Sequence, residues 1–330
     1  MSRRGADALV GALTEAGVQR LFTLSGNHVM PVFDATIGTD VQLLHTRHEA
    51  AAVHMADAWA RLTGDVGVAL VTGGPGHANA VSALYTAAMS ESAVVLLSGH
   101  APLAQLGKGA FQEMRQADMA APVTKASWTC SSAHEVAGDL RRAIGIARAG
   151  RPGPVHLSVP ADVLDAQTSR IESTTGTSGA ERAGGPAGFA TEGLPAPDAD
   201  AMVARLRAAK HPLILVGPAE MNRSGRQRAA ALAQAGDVPV VGMQSPRGVN
   251  DPALGALAEV LAQADCVLLL GKKLDFSLRF GSAPTFGAGC EFLQIDADDA
   301  EMGRSRQALG LRLVYARRAD TGDAMAVLLD

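Results

Sequence analysis

Residues 66–79, Val-Gly-Val-Ala-Leu-Val-Thr-Gly-Gly-Pro-Gly-His-Ala-Asn, restrict the fold more than any other stretch of the chain. Residues 66–72 are apolar without alternation. A strand of that kind must be covered on both faces, which is the situation of an inner strand in a parallel sheet. The three glycines and the proline that follow form a tight turn, and a helical pattern runs on from them to about residue 90. Strand, glycine turn and helix in that order make one unit of an α/β fold.

The same alternation extends in both directions. Helices are predicted at residues 6–16, 31–37, 48–63 and 134–149, and strands at 21–24, 41–45, 93–98 and 155–159. Residues 105–122 read as an irregular excursion with few core positions. From 167 to 197 Ser, Thr, Gly, Ala and Pro dominate without apolar periodicity, as in a linker. A second alternation follows, with helices at 199–209, 226–235, 254–264 and 319–329 and strands at 213–216, 239–241, 266–270 and 292–295. The expected architecture is α/β: two doubly wound, mainly parallel Rossmann-like sheets, in domains 1–166 and 198–330, joined by the long linker 167–197.

Composition narrows the function classes. The net charge of −4 comes without a basic block, which argues against nucleic acid as a partner. Cys130, Cys266 and Cys290 lie far apart with no C-x-x-C, the usage of buried thiols in a reducing compartment rather than of disulfides or zinc. No apolar run of about 20 residues exists and no signal core follows Arg3 and Arg4. The expectation is a cytoplasmic, soluble protein with no membrane partner and no metal ligands of its own.

Glu49 is the first chemical candidate. It stands in the first turn of a predicted helix, just past a strand's C-terminal end, the edge where parallel α/β folds bind ligands. A first-turn acid also answers the helix dipole, and that alone explains many such residues. Its helix, however, continues with Ala50, Ala51, Ala52, Val53, Ala56 and Ala60, which cannot solvate a carboxylate. Lost hydration favours the protonated form, whereas Arg47, His48 and the helix N-terminus favour the charged one. A group held between opposed influences is a candidate for proton transfer.

The glycine turn at 73–79 is poor as a phosphate loop: it lacks the Gly-Lys-Ser/Thr ending, and Asn79 stands where the dinucleotide fingerprint wants glycine. It is either a plain strand-to-helix turn or a place where a flat ring approaches the backbone. Ala110-Phe111-Gln112-Glu113, preceded by Gly107 and Gly109, sets an aromatic beside an amide in a loop, a composition that suits a substrate pocket.

Together these blocks resemble a known family. Arg47-His48-Glu49-Ala50, residues 56–64 (Ala-Asp-Ala-Trp-Ala-Arg-Leu-Thr-Gly), Thr72 with residues 73–79, and Ala110-Phe111-Gln112-Glu113 are similar to the N-terminal domain of thiamine-diphosphate enzymes of the acetolactate synthase-like group, including 2-hydroxyacyl-CoA lyases and oxalyl-CoA decarboxylase. Residues 151–157 resemble the segment closing that domain; residues 269–275 and Gln294-Ile295-Asp296 resemble the middle domain. The resemblance implies a C–C bond lyase or transferase acting on a 2-oxo acid or a 2-hydroxyacyl-CoA, and residues 274–281 lean towards the acyl-CoA branch. It implies that Glu49 hydrogen-bonds N1′ of the aminopyrimidine of thiamine diphosphate and favours the tautomer that takes the thiazolium C2 proton. Ser25, Gly26, Asn27, Thr72, Pro75, Gly76 and Asn79 would contact the cofactor. Phe111, Gln112 and His77 would line the substrate pocket, with Phe111 and Gln112 reaching the partner subunit's site in a homodimer.

Two departures stand out. His77-Ala78 replaces the family's Ala-Thr, and the first turn reads Ser25-Gly26-Asn27-His28 without Pro-Gly-Gly. The family's Gly-Asp-Gly and later Asn-Asn, which bind the diphosphate through Mg²⁺, have no counterpart in these 330 residues. The expectation is therefore a chain inactive alone, whether natural subunit, truncation or fragment, with the diphosphate-binding domain supplied elsewhere, a companion chain being one source. The middle domain leaves room for FAD or ADP. Two other readings stay open: a non-catalytic binding or assembly protein that kept the fold and, behind it, a nicotinamide-dependent oxidoreductase.

Overall fold

The computed structural model describes residues 3–168 and 193–329. The chain divides into two compact units, Met1–Ala190 and Thr191–Asp330. Most of the expected linker lies outside the described residues; its first two residues, Gln167–Thr168, form a short antiparallel pair with Arg3–Arg4.

The first unit is built on six strands: β1 (Arg20–Thr23), β2 (Gln42–His45), β3 (Gly67–Val71), β4 (Val94–His100), β5 (Ala126–Thr129) and β6 (Val155–Pro160). All neighbouring pairs are parallel, in the order β2-β1-β3-β4-β6-β5. Helices α1 (Gly5–Glu15), α2 (Met30–Ala35), α3 (Glu49–Thr63), α4 (Pro75–Met89), α5 (Gln116–Ala120), α6 (Val136–Arg148) and α7 (Ala161–Asp165) cover both faces. The continuous apolar run of β3 follows from that double cover. Val68 and Leu70 join the core formed with Leu9, Leu13, Leu140 and Ile144. Ala69 and Val71 join the opposite core with Val53, Ala56, Ala80 and Leu84. Gly67 is glycine for a local reason: the Ala56 backbone carbonyl of α3 lies so close that a Cβ at residue 67 would collide with it.

Strand β5 has no counterpart among the expected strands. Its four residues are only half-buried at the sheet edge, and Ser127 and Thr129 break up any apolar run. Strand β6 inserts between it and β4, so the strand expected to close the domain is an inner one. The excursion at 105–122 likewise contains α5.

The second unit carries β7 (Pro212–Val216), β8 (Val240–Gly242), β9 (Cys266–Leu270), β10 (Glu291–Asp296) and β11 (Leu313–Arg318), parallel throughout in the order β8-β7-β9-β10-β11. Its helices are α8 (Ala196–Ala208), α9 (Arg223–Gly236), α10 (Leu257–Gln263), α11 (Asp299–Leu309) and α12 (Thr321–Val327). Both β11 and α11 go unannounced in the sequence. The strand is a half-exposed edge ending in Arg317 and Arg318, and the helix buries Met302, Ser305 and Leu309 among charged neighbours. The expected helix at 254–264 starts later, at Leu257, after a 3₁₀ turn at Pro252–Leu254. Among the described residues no helix is long and apolar enough to cross a membrane.

Candidate functional site

In the first sheet the chain passes from β1 outward to β2, then returns to lay β3 on the other side of β1. At such a reversal the two following loops diverge and leave a crevice at the strands' carboxyl ends. One wall is the turn after β1, Ser25 to His28. The other is the glycine turn after β3. Thr72 joins them: a Cβ on Gly26 would run into its side chain, and its Oγ1 lies 3.3 Å from His28 Nδ1. His28 is buried, and burial first, then the neighbouring His100, pushes its imidazole below the ordinary histidine range. Ser25 and Asn27 are exposed on the rim.

Glu49 reaches the crevice from the next turn. His48 is the N-cap of α3, its Nδ1 accepting from Ala50 N at 3.1 Å, so the helix starts at Glu49 rather than at His48 as expected. The Glu49 carboxylate faces the first turn of α4. Asn79 Nδ2 donates to Glu49 Oε2 at 3.0 Å. A Cβ on Gly76 would stand 3.2 Å from Glu49 Oε1 and 2.8 Å from Thr72 Cγ2, so glycine lets the turn approach both side chains this closely. The dry setting expected for Glu49 is not closed here: Glu49 is half-buried, and Asn79 and Pro75 are exposed. Ala52, Ala56 and Ala60 of α3 are buried in the core instead of forming a wall around the acid.

Gly74 makes the turn with φ 61° and ψ −119°, a conformation that residues with a side chain rarely adopt. Gln112 packs against it; a Cβ on Gly74 would lie 2.7 Å from Gln112 Cβ. Gln112 itself has a positive φ of 56°, and Phe111, 67% exposed, stacks at 5.9 Å on His28. The loop is tightened from within by Glu113, whose carboxylate accepts from Gly107 N at 2.6 Å and Ala110 N at 3.0 Å. Those bonds, the Gly107 one foremost, hold its carboxyl below the usual range. The structure thus brings Gln112 onto the glycine turn and Phe111 onto His28 of the facing turn. Behind the loop lies a cavity of about 800 Å³ whose lining includes Leu103, Leu106, Ala110, Met114 and Cys130.

His77 goes elsewhere. It is fully buried beneath the glycine turn, with Nδ1 2.9 Å from Ser98 Oγ and its ring 4.5 Å from that of His156. Burial pushes its imidazole down to about 4 and that of His156 well below the ordinary value. At the third position of α4 the side chain is directed back into the sheet, so it does not share the crevice with Phe111 and Gln112.

Gln116 was not singled out by the sequence. It is buried in α5, and its amide touches Gly74, Gly99 and Ser158. No local pattern marks it, because its partners lie 17 to 42 residues away.

Residues 3–119 match the family described as thiamine pyrophosphate enzyme, N-terminal TPP binding domain, and residues 199–317 match its central domain. The chain is 31% identical to a probable acetolactate synthase large subunit of Methanocaldococcus jannaschii over 99% of its own length and 55% of the relative's. It is 30% identical to the acetolactate synthase isozyme 1 large subunit of Escherichia coli K12 over 98% of itself and 57% of that protein. A 2-hydroxyacyl-CoA lyase 2 of Danio rerio is 40% identical over 49% of the chain and 26% of the relative. The chain spans about half the length of the synthase relatives it matches. A parallel crevice with an acid in its first helical turn, matched at both domains, assigns the chain to the thiamine pyrophosphate enzymes.

Proposed function

We propose that the first unit binds the aminopyrimidine of thiamine diphosphate, as part of an enzyme that makes or breaks a C–C bond beside a carbonyl. One observation carries this reading: Glu49 Oε1 lies close against Gly76, in the first turn of α4, while Oε2 is held by Asn79. With Oε2 engaged, Oε1 is the oxygen left to meet the edge of a flat ring. When bound, the cofactor would supply the carbanion-stabilising chemistry that such a reaction needs beside the carbonyl.

The residues divide the work accordingly. Asn79 donates to one carboxylate oxygen and leaves the other for N1′, so Glu49 exchanges a proton at that atom only. Thr72, Pro75 and Gly76 form the bed of the ring, with Ser25, Gly26 and Asn27 on the facing rim. Phe111 and Gln112 present the substrate side, to this site or to that of a second copy, since a homodimer brings the first units together. Ligand and partner cover then complete the water exclusion that the single chain lacks. The diphosphate and its Mg²⁺ are held by a Gly-Asp-Gly…Asn-Asn domain not among these 330 residues, in cis or on a companion chain; without it the chain turns nothing over. The switch point of the second unit, between β7 and β9, is the place for FAD or ADP. The substrate is a 2-oxo acid or a 2-hydroxyacyl-CoA, consistent with the relatives of both names, in a cytoplasmic setting where Cys130, Cys266 and Cys290 stay free thiols.

Titration of the ¹⁵N-labelled chain with thiamine diphosphate and Mg²⁺ tests the reading. Shifts at Gly76 and Asn79 that weaken in Glu49→Gln are expected. Shifts confined to the second unit would refute it.

A further inference from the structure

Gln116 is 1% exposed, and three of the four hydrogen-bonding directions of its amide are used. Oε1 accepts from Gly74 N at 2.8 Å. Nε2 donates to Gly99 O at 3.1 Å and to Ser158 Oγ at 2.9 Å. The amide has one orientation, because Gly74 N can only donate and Gly99 O can only accept. A single buried side chain therefore ties the turn after β3 to the ends of β4 and β6.

We infer that Gln116 is a positioning residue: it sets the Gly73–Gly74 peptide and, through it, the wall that faces Glu49. In a trans peptide the N–H of Gly74 and the carbonyl of Gly73 are antiparallel, so an acceptor on one fixes both. The pinned peptide leads directly into Pro75 at the start of α4, then Gly76 beside Glu49 Oε1 and Asn79 on Oε2. There is no slack for a compensating rotation. A Cβ on Gly73 would lie 2.7 Å from Gly99 O and 3.0 Å from Gln116 Oε1. Gln116 also opens the short helix that ends the loop bearing Phe111 and Gln112, and Gln112 packs on Gly74. One amide thus holds the pyrimidine wall and the substrate wall in register. What the two walls bind rests on the cofactor reading above; the pin itself does not.

The test uses the full chain, ¹⁵N-labelled, in wild-type, Gln116→Met and Gln116→Glu forms. Hydrogen exchange at the Gly74 amide, without ligand, reads the pin. Shifts at Gly76 and Asn79 on adding thiamine read its consequence. In the wild type the Gly74 amide is protected. In Gln116→Met its exchange rises about tenfold or more relative to the amides of β3, and thiamine no longer moves Gly76 and Asn79 while Trp59 and Trp128 still report a folded unit. Gln116→Glu keeps an acceptor for Gly74 N but loses both donors, so it restores Gly74 protection. An unprotected Gly74 amide in the wild type, or protection and thiamine shifts that survive in Gln116→Met, would overturn the inference. If Gln116→Met does not fold, the wild-type amide and Gln116→Glu decide it. Thiamine that moves no amide of a protein whose Gly74 is pinned by Gln116 would remove the cofactor reading and leave the pin established.

Discussion

Acid should loosen the first unit from beneath its site, through His77. Burial holds the His77 imidazole at about 4, against an ordinary 6.5. The unfolded chain therefore takes up a proton near pH 6.5 that the folded chain refuses until about pH 4. Stability is full above the unfolded value, falls as the pH drops from about 6.5 to about 4, and is level below that. At about pH 5 the loss is on the order of 2 kcal/mol, approaching about 3 kcal/mol at its full extent, since a tenfold difference in proton affinity between the two states is worth about 1.36 kcal/mol. His77→Asn removes the titrating group. The constant cost of the lost ring contact with His156 applies at every pH, so the quantity to compare is the difference between about pH 7.5 and about pH 5 in each protein. Urea unfolding followed by tryptophan fluorescence suits the measurement, because Trp59 and Trp128 both belong to the first unit and report it alone. His28 is present in both proteins, so its acid loss cancels in the comparison; His156 loses the neighbouring His77 ring in the variant and is less depressed there, which widens the difference in the same direction. The wild type should lose about 2 kcal/mol more than the variant. Equal losses would show that His77 is protonated or hydrated in the folded unit, contrary to its burial.

In an assembled enzyme, Glu49→Gln should slow exchange of the thiamine C2 proton by about 10²–10⁴-fold, followed by NMR, with little change in stability; an unchanged rate would leave Glu49 as a helix-dipole acid only. Gly74→Ala should destabilise the first unit by about 1–3 kcal/mol, because alanine is strained at that backbone conformation and Gln112 must give way; an unchanged urea midpoint would refute this. Arg151→Met should cost about 3–5 kcal/mol by removing the guanidinium from the buried Glu91 carboxylate, since the two side chains are only 12% and 2% exposed. Glu91→Leu added to Arg151→Met should recover part of that loss in the same unfolding assay.

The inner strands were legible because each is a local statement. Residues 67–71, 94–97 and 266–270 are apolar on consecutive positions, and only cover on both faces satisfies such a run. The start of α3 was legible for the same kind of reason: a strand, a polar turn, an acid and then a helical alanine stripe lie within a dozen residues. The place of Glu49 at a strand's carboxyl end could be read directly.

The rest required the fold. Strands β5 and β11 are edges, where half-exposure erases the pattern that marks a strand. Helix α11 hides Ser305 in its buried stripe. The partner of Glu49 is 30 residues away in Asn79, and the anchor of the glycine turn is 42 residues away in Gln116. Pairings at such separations leave no periodic trace, because they are set by which strands become neighbours. His77 shows the limit most plainly. Its sequence position beside Gly76 places it in the site, yet the direction of a side chain at the third position of a helix depends on which face of α4 meets the sheet. Packing turned that face inward, and with it a histidine that the turn alone would have left in the pocket.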